Sequence, residues 1–361
     1  MTHPVYNFSA GPAMLPAPVL AQAQAELIDW HGLGTSVMEI SHRSKEFMRV
    51  AEESEQDLRT LMDIPKNYRV LFMHGGGRGQ FAAVPLNLAK SGQPAMHIVS
   101  GSWSKASVVE ASKYVKADSV DIITNENGQI GADVSKYQPE QGAHAFVHFC
   151  PNETVDGIEL FSLPNSAAPL VADMSSNILS RKVNVSDYGL IYAGAQKNIG
   201  PSGLSVVIIR EDLLGNPQPQ TPVILDYTAA ANNESMFNTP PTYSWYLSGL
   251  VFKWLIAQGG VEAIAKINER KANLLYSFID SSSLFNNRIM PQNRSRMNVV
   301  FQLTDESLNE RFLSMALDEG LHALKGHRSV GGMRASIYNA MPEEGVKTLI
   351  EFMREFERTQ G

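Results

Sequence analysis

The chain reads as an α/β protein: a mainly parallel sheet with helices on both faces, followed by a smaller α+β domain. Three observations predict this. Between residues 69 and 210, short apolar runs rich in β-branched residues alternate with helical stretches, the pattern of strands joined by crossover helices. Residues suited to ligand binding recur where those strands end, at Gly75–Gly79, Trp103, Asn152–Thr154, Asp173 and Lys197. Open sheets of this kind bind their ligands at the carboxyl ends of the strands. From about residue 297 the order changes to strand, helix, strand, helix.

Taken in order, Asn7–Ala13 is a loop around Gly11-Pro12. Pro18 starts a helix expected to reach Trp30, with Leu20, Ala23, Leu27 and Trp30 on one face. Gly32-Leu33-Gly34 ends it. After the polar stretch Glu39–Ser44, Ser44 is placed to cap a helix to about Met62, whose inner side carries Phe47, Val50, Ser54, Leu58 and Leu61. Arg69–Met73 is a strand, and the glycines 75–79 open a helix through Leu88. Ala95–Val99 is a strand, and Gly101-Ser102-Trp103 leads into a helix through Val115. Further strands are expected at Val120–Thr124, Ala143–Cys150 and Leu170–Ala172. Leu190–Ala193 and Leu204–Ile209 are strands enclosing a glycine-rich turn that holds Lys197. Asn232–Pro241 is a loop. Helices follow at Tyr243–Ala257 and, after Gly259-Gly260, to about Ile279. Met297–Leu303 and Met333–Tyr338 are strands, with helices at Glu306–Glu319 and Pro342–Glu357. The last turns Val346, Leu349, Ile350, Met353 and Phe356 inward.

The 361 residues carry a net charge of −7 and no basic tail, so nothing calls for nucleic acid or an anionic membrane. No apolar run is long enough to span a bilayer, and Met1–Gly11 lacks the build of a signal peptide. The single cysteine, Cys150, suits a reducing compartment and reads as a strand-end core residue. A cytoplasmic location is expected, and no metal site.

The chemistry centres on Lys197. A lysine between two buried strands is desolvated, loses its proton readily and can form a Schiff base. Asp173 ends an apolar strand, where an unpaired carboxylate is costly. Together they meet the needs of pyridoxal phosphate: an acid for the pyridine nitrogen and an amine for the aldehyde. A plain salt bridge explains the pair equally well. The glycines 75–79 at a helix start form an anion site, but match neither the P-loop nor the dinucleotide fingerprint. Trp103 offers a face for a planar ring or fills a core. His42, Arg43, Arg78, His327, Arg328 and Arg334 lie in or beside loops and strand starts of an acidic chain, where arginines favour anions.

Seven ordered motifs carry a resemblance. They are Asn7–Ala13, Ser41-His42-Arg43, His74–Phe81, Cys150-Pro151-Asn152-Glu153-Thr154, Ala193–Pro201, Phe237–Pro241 and Gly326–Ser336. Nearly end to end, the chain resembles the phosphoserine aminotransferase family of class V pyridoxal-phosphate enzymes, which have the fold-type I architecture. The domains expected are an N-terminal loop of the substrate site (1–15), a large cofactor-binding domain (16–258) and a small C-terminal domain (259–361).

The resemblance implies a homodimer that moves an amino group reversibly between L-glutamate and 3-phosphohydroxypyruvate. The products are 3-phospho-L-serine and 2-oxoglutarate, in serine biosynthesis. A second reaction on 4-phosphohydroxy-L-threonine, in pyridoxine biosynthesis, is also implied. Lys197 would carry the Schiff base, Asp173 pair with the ring nitrogen, Trp103 stack on the ring and Thr154 bond its hydroxyl. Gly77, Arg78 and Gln196 would hold the cofactor phosphate, joined by Asn238 and Thr239 of the partner subunit. Arg334 would grip the substrate α-carboxylate. Arg43 and the loop at Ala10 resemble glutamate-binding elements. His42, Arg78, His327 and Arg328 resemble a clamp for the substrate phosphate. Relatives often carry Ser where this chain has Ala10, so contact there is through backbone. Two rivals are another fold-type I enzyme, such as a cysteine desulfurase or a decarboxylase, and a dinucleotide-dependent oxidoreductase using the glycine turn. A desulfurase needs a mobile cysteine, which Cys150 in a strand does not provide.

Overall fold

The computed structural model describes residues 4–360; the ends of the expected N-terminal loop and C-terminal domain, residues 1–3 and 361, lie outside the described residues. Helices α1 (Ala17–Ala25) and α2 (Lys45–Met62) precede the main sheet. Its strands are β1 (Tyr68–His74), β2 (Ala95–Val99), β3 (Ala117–Asp121), β4 (Val147–Phe149), β5 (Leu170–Asp173), β6 (Leu190–Gly194) and β7 (Leu204–Arg210). They lie in the order β1-β7-β6-β5-β4-β2-β3. Only β7 runs antiparallel to its neighbours in this sheet. The reason is local. The loop 195–203 is too short for a crossover, so the chain must turn back beside β6. Helix α3 (Gly76–Leu88) follows β1, and α4 (Ser102–Ala111) follows β2.

The sheet is buried on both faces, as its unbroken apolar runs require. Val70, Phe72, Val206 and Ile208 face one core with Phe47, Leu58 and Trp245. Leu71, Met73, Val207 and Ile209 face the other, with Phe81, Val84 and Ala111. Helix α2 is capped as its sequence predicts, Ser44 Oγ accepting from the Phe47 amide at 3.3 Å. It lies against α6 (Thr242–Ala257), which follows the short α5 (Tyr227–Asn232), and Trp245 Nε1 donates to Ser54 Oγ at 2.7 Å across their contact.

Helix α7 (Gly260–Ser281) spans two cores: Val261 and Ile264 pack with the large one, Leu275 and Ile279 with a second. That second core gathers β8 (Phe285–Asn286), β9 (Asn298–Leu303), β10 (Met333–Ser336), α8 (Asn309–Asp318) and α9 (Glu343–Gln360). Tyr6 and Phe8 join it, because Tyr6–Asn7 pairs in parallel with Leu321–His322. Residues 6–8 are thereby pinned beside the C-terminal third.

Three elements differ from the sequence reading. Helix α1 stops at Ala25 and buries Val19 and Ala23; Leu20 and Leu27 are exposed. The chain turns there because Asp29 Oδ1 accepts from the Gly34 amide at 2.6 Å, and Trp30 is buried from that turn. The strand expected at Val120–Thr124 divides between β3 and a hairpin, Ile123–Glu126 with Gln129–Ala132, turned by Asn127-Gly128 at positive φ. Helix α5 falls almost wholly between the strand ending at Ile209 and the loop beginning at Asn232, where no element was expected; Asp226 caps it by accepting from the Thr228 and Ala229 amides. Among the described residues no helix is long and apolar enough to cross a membrane.

Candidate active site

The carboxyl ends of β1, β5 and β6 and the start of β7 open on one cavity of about 380 Å³. Lys197 reaches it from the loop after β6. That loop is held from below: Asn198 is buried, donates to the Ile178 carbonyl at 2.6 Å and accepts from the Asn339 amide at 2.9 Å. Lys197 Nζ lies 2.5 Å from Thr154 Oγ1 and 5.4 Å from the centre of the Trp103 ring. Burial lowers its pKa from the ordinary value, and the charge of Asp173 pulls the other way. The amine is thus biased toward the neutral, nucleophilic form.

Asp173, at the end of β5, is buried, and burial raises its pKa. Its Oδ1 accepts from both the amide and the hydroxyl of Ser175, at 3.0 and 2.6 Å. Ser175 Oγ in turn accepts from the Gly194 amide at 2.9 Å, tying the end of β5 to the end of β6. Ser175 was not singled out by sequence; its position two residues past Asp173 is the local-turn spacing that could have marked it.

The glycine run folds over these strand ends. Gly75 and Gly76 take positive φ. A Cβ on Gly194 would sit 2.9 Å from the Gly77 nitrogen, and one on Gly77 would sit 3.0 Å from Ser175 Oγ, so only glycine permits this approach. The first turn of α3 therefore aims amides without intrahelical partners at the cavity, an arrangement that binds anions.

Trp103 stands in the first turn of α4. The Arg78 guanidinium lies 5.0 Å from its ring centre, and its indole N–H is buried without a partner. Thr154 is buried beside Glu153, which accepts from the Trp103 and Ser104 amides, each at 2.8 Å. Burial and the charge of Asp156 push Glu153 up to about 7. The sequence around Glu153 does not by itself imply a role for it.

Gly77, Arg78, Trp103, Asp173, Gln196 and Lys197 all line the cavity. Thr154 joins them through Lys197. Arg334, on β10, joins through Nη1, which donates to the Thr154 carbonyl at 3.2 Å. The Ala10 carbonyl accepts from the Tyr338 hydroxyl at 2.8 Å. The loop around it lies on the lysine loop, where the Ala13 amide donates to the Gln196 carbonyl at 2.9 Å.

Besides Ala10, Thr154 and Arg334, six expected residues are absent from the cavity lining: His42, Arg43, Asn238, Thr239, His327 and Arg328. Arg43, Asn238, Thr239, His327 and Arg328 are exposed. His42 Nε2 is buried without a partner. Asn238 Nδ2 sits 3.3 Å from His74 Nε2, and His327 Nδ1 sits 2.7 Å from Ser329 Oγ.

The arrangement fits pyridoxal phosphate. A neutral-leaning amine, a buried acid, an indole face and a glycine-lined helix start surround one cavity large enough for a pyridine ring and its phosphate.

Comparison with known proteins agrees. The chain matches the family described as Aminotransferase class-V over residues 5–349. It is 58% identical over 360 residues, 99% of each chain, to the phosphoserine aminotransferase of Shewanella sediminis (strain HAW-EB3). The solved phosphoserine aminotransferase of Bacillus circulans subsp. alkalophilus superposes with a TM-score of 0.94 at 41% identity, covering 99% of both chains. The enzyme of Trichomonas vaginalis, solved with pyridoxal phosphate bound, gives 0.91 at 39% identity, over 97% of this chain and all of that one.

Proposed function

The chain belongs to the class-V aminotransferase family, and we propose that within it the chain catalyses reversible amino transfer between L-glutamate and 3-phosphohydroxypyruvate, giving 3-phospho-L-serine and 2-oxoglutarate. Its cofactor is pyridoxal 5'-phosphate. The observation that carries this reading is the pair Lys197 and Asp173 on one cavity, with Lys197 Nζ 2.5 Å from Thr154 Oγ1.

When bound, pyridoxal phosphate supplies an aldehyde that takes up the amino group and a protonated ring that draws electrons from the substrate Cα. Lys197 attaches the cofactor through Nζ. Once the incoming amine had displaced it, Nζ would act as the base that takes the proton from the substrate Cα and as the acid that gives it up again. The bias toward the neutral amine serves this step, because only the neutral form accepts a proton. Asp173 would favour a proton on the ring nitrogen, and Ser175 holds its carboxylate in place for that role. Trp103 would offer the ring a face, and Thr154 would bond the ring hydroxyl. The first turn of α3, with Gly77, Arg78 and Gln196, holds the cofactor phosphate.

Asn238 and Thr239 of the partner subunit complete that phosphate site in a homodimer. Their exposure and their absence from the Lys197 cavity in their own chain support this. Arg334 grips the substrate α-carboxylate, its place fixed by the Thr154 carbonyl. Arg43 and the loop at Ala10 meet the glutamate side chain; His42, Arg78, His327 and Arg328 meet the phosphate of the other substrate. Arginine and histidine together suit both a carboxylate and a phosphate, which the two half-reactions demand of one space. The same clamp admits 4-phosphohydroxy-L-threonine, the pyridoxine-pathway substrate. We place the enzyme in the cytoplasm and divide it as a substrate loop over 1–15, a large domain over 16–258 and a small domain over 259–361.

The test is a coupled assay with glutamate against oxo acids with and without a phosphate group. The phosphorylated three-carbon acid is expected to be strongly preferred. Equal rates with pyruvate or glyoxylate would overturn the substrate assignment while leaving the family intact.

A further inference from the structure

Glu153 is fully buried next to Thr154, yet nothing in the reaction above uses it. Its Oε2 accepts from the Trp103 amide at 2.8 Å. Its Oε1 accepts from the Ser104 amide at 2.8 Å and from Ser104 Oγ at 2.5 Å. Ser104 Oγ turns back to accept from the Ser100 and Gly101 amides, at 2.9 and 3.1 Å. The next amide is held the same way, Ser102 donating to Asp156 Oδ2 at 2.7 Å. Two carboxylates from the turn 152–157 thus hold the first-turn amides of α4, from Ser102 to Ser104. The turn itself is closed by the Gly157 amide donating to the Glu153 carbonyl at 2.9 Å.

This approach requires Gly101. A Cβ there would lie 2.6 Å from Asp156 Oδ2 and 2.7 Å from Glu153 Cδ. The strand end has no side chain so that the carboxylates can reach the helix.

A helix can be capped by a serine at far less cost than a buried carboxylate. What the carboxylate adds is a rigid link between two distant groups. Trp103 hangs from the capped turn, and Thr154, the residue after Glu153, is hydrogen-bonded to Lys197. We propose that Glu153 is a positioning residue for amino transfer, one that fixes the Trp103 indole relative to Thr154 and Lys197 so that the ring platform is set before the cofactor arrives. The inference rests on the reading of Trp103 as that platform.

The test is a double-mutant cycle read by the dissociation constant of pyridoxal phosphate and by the circular dichroism band of the bound cofactor. Glu153→Gln keeps the size but turns an amide donor toward the amides it must hold. It is expected to weaken cofactor binding about tenfold and to change the dichroic band. Trp103→Ala alone is expected to weaken binding as well. In the Trp103→Ala background, Glu153→Gln should then cost little more, because the group it aims is gone. If Glu153→Gln costs the same with and without Trp103, the positioning role is wrong although the platform stands. If Trp103→Ala leaves binding unchanged, the platform reading fails and the positioning role with it. Should Glu153→Gln not fold, Ser104→Ala removes one donor to the same carboxylate. It should show a smaller loss that also vanishes in the Trp103→Ala background; an equal loss in both would overturn the proposal.

Discussion

Replacing Asp173 by Asn isolates the charge that the account places opposite the cofactor ring. Oδ1 of Asp173 accepts both donors of Ser175, at 3.0 and 2.6 Å. An asparagine oxygen can take the same two bonds, so shape and fold are kept while the charge is removed. The remaining position becomes an amide donor, which favours an unprotonated ring nitrogen. Two unit charges about 4 Å apart interact by about 4 kcal/mol at the effective dielectric of a protein site. Losing that contribution at the point where the substrate Cα gives up its proton predicts a rate loss of about a thousandfold. The assay is a single turnover of the loaded enzyme with glutamate, followed by the cofactor's visible absorbance. Thermal unfolding of the unloaded chain serves as the control. There the variant should be at least as stable as the parent, because burial already disfavours the Asp173 carboxylate. A single-turnover rate within about threefold of the parent would refute the reasoning.

Three other outcomes are expected. Arg334→Ala should raise the Michaelis constants for both glutamate and 3-phosphoserine by about tenfold or more, the worth of a charge-assisted pair; steady-state kinetics with each donor checks this, and unchanged constants would remove Arg334 from the carboxylate role. Glu153 is raised from 4.5 to about 7 in the fold. Between those values the unfolded chain has lost a proton that the folded chain keeps, so this contribution to stability is complete below about 4.5 and is lost as pH rises through about 7. Denaturant titrations across that range should show a fall in stability that Glu153→Gln flattens; parallel profiles would contradict it. Lys271, fully buried, donates to the carbonyls of Ile337, Tyr338 and Met341 at 3.0, 2.8 and 2.9 Å, just past the strand that carries Arg334. Lys271→Met strands all three acceptors and should cost about 3 kcal/mol, seen as a lower melting temperature; an unchanged midpoint would show that the clamp carries no weight.

The sheet and the cluster around Lys197 were legible because each depends on short-range pattern. Apolar runs bounded by glycine mark strands, and Asp173 and Lys197 stand at strand ends where charge is otherwise unwelcome. What escaped depends on the tertiary approach of distant segments. Nothing near Tyr6 tells that it will pair with Leu321. Nothing near Asn198 tells that its side chain will meet the Asn339 amide and so join the lysine loop to the segment after β10. Ser175 and Glu153 escaped for another reason: each acts through a neighbour, Asp173 or Trp103, and a serine or glutamate in a loop is usually an ordinary polar residue. The helix face of α1 was misread because Leu20 and Leu27 fit helical spacing as well as Val19 and Ala23 do. Asn127-Gly128 is a two-residue turn signal, and it is why the expected strand Val120–Thr124 gives way to a hairpin.

The most direct test of the central claim is to reduce the cofactor-loaded enzyme with borohydride, digest it and locate the modified lysine by mass. The account predicts a pyridoxyl adduct on the peptide containing Lys197, and none in Lys197→Ala. An adduct on another lysine, including the buried Lys271, or no adduct at all, would contradict it.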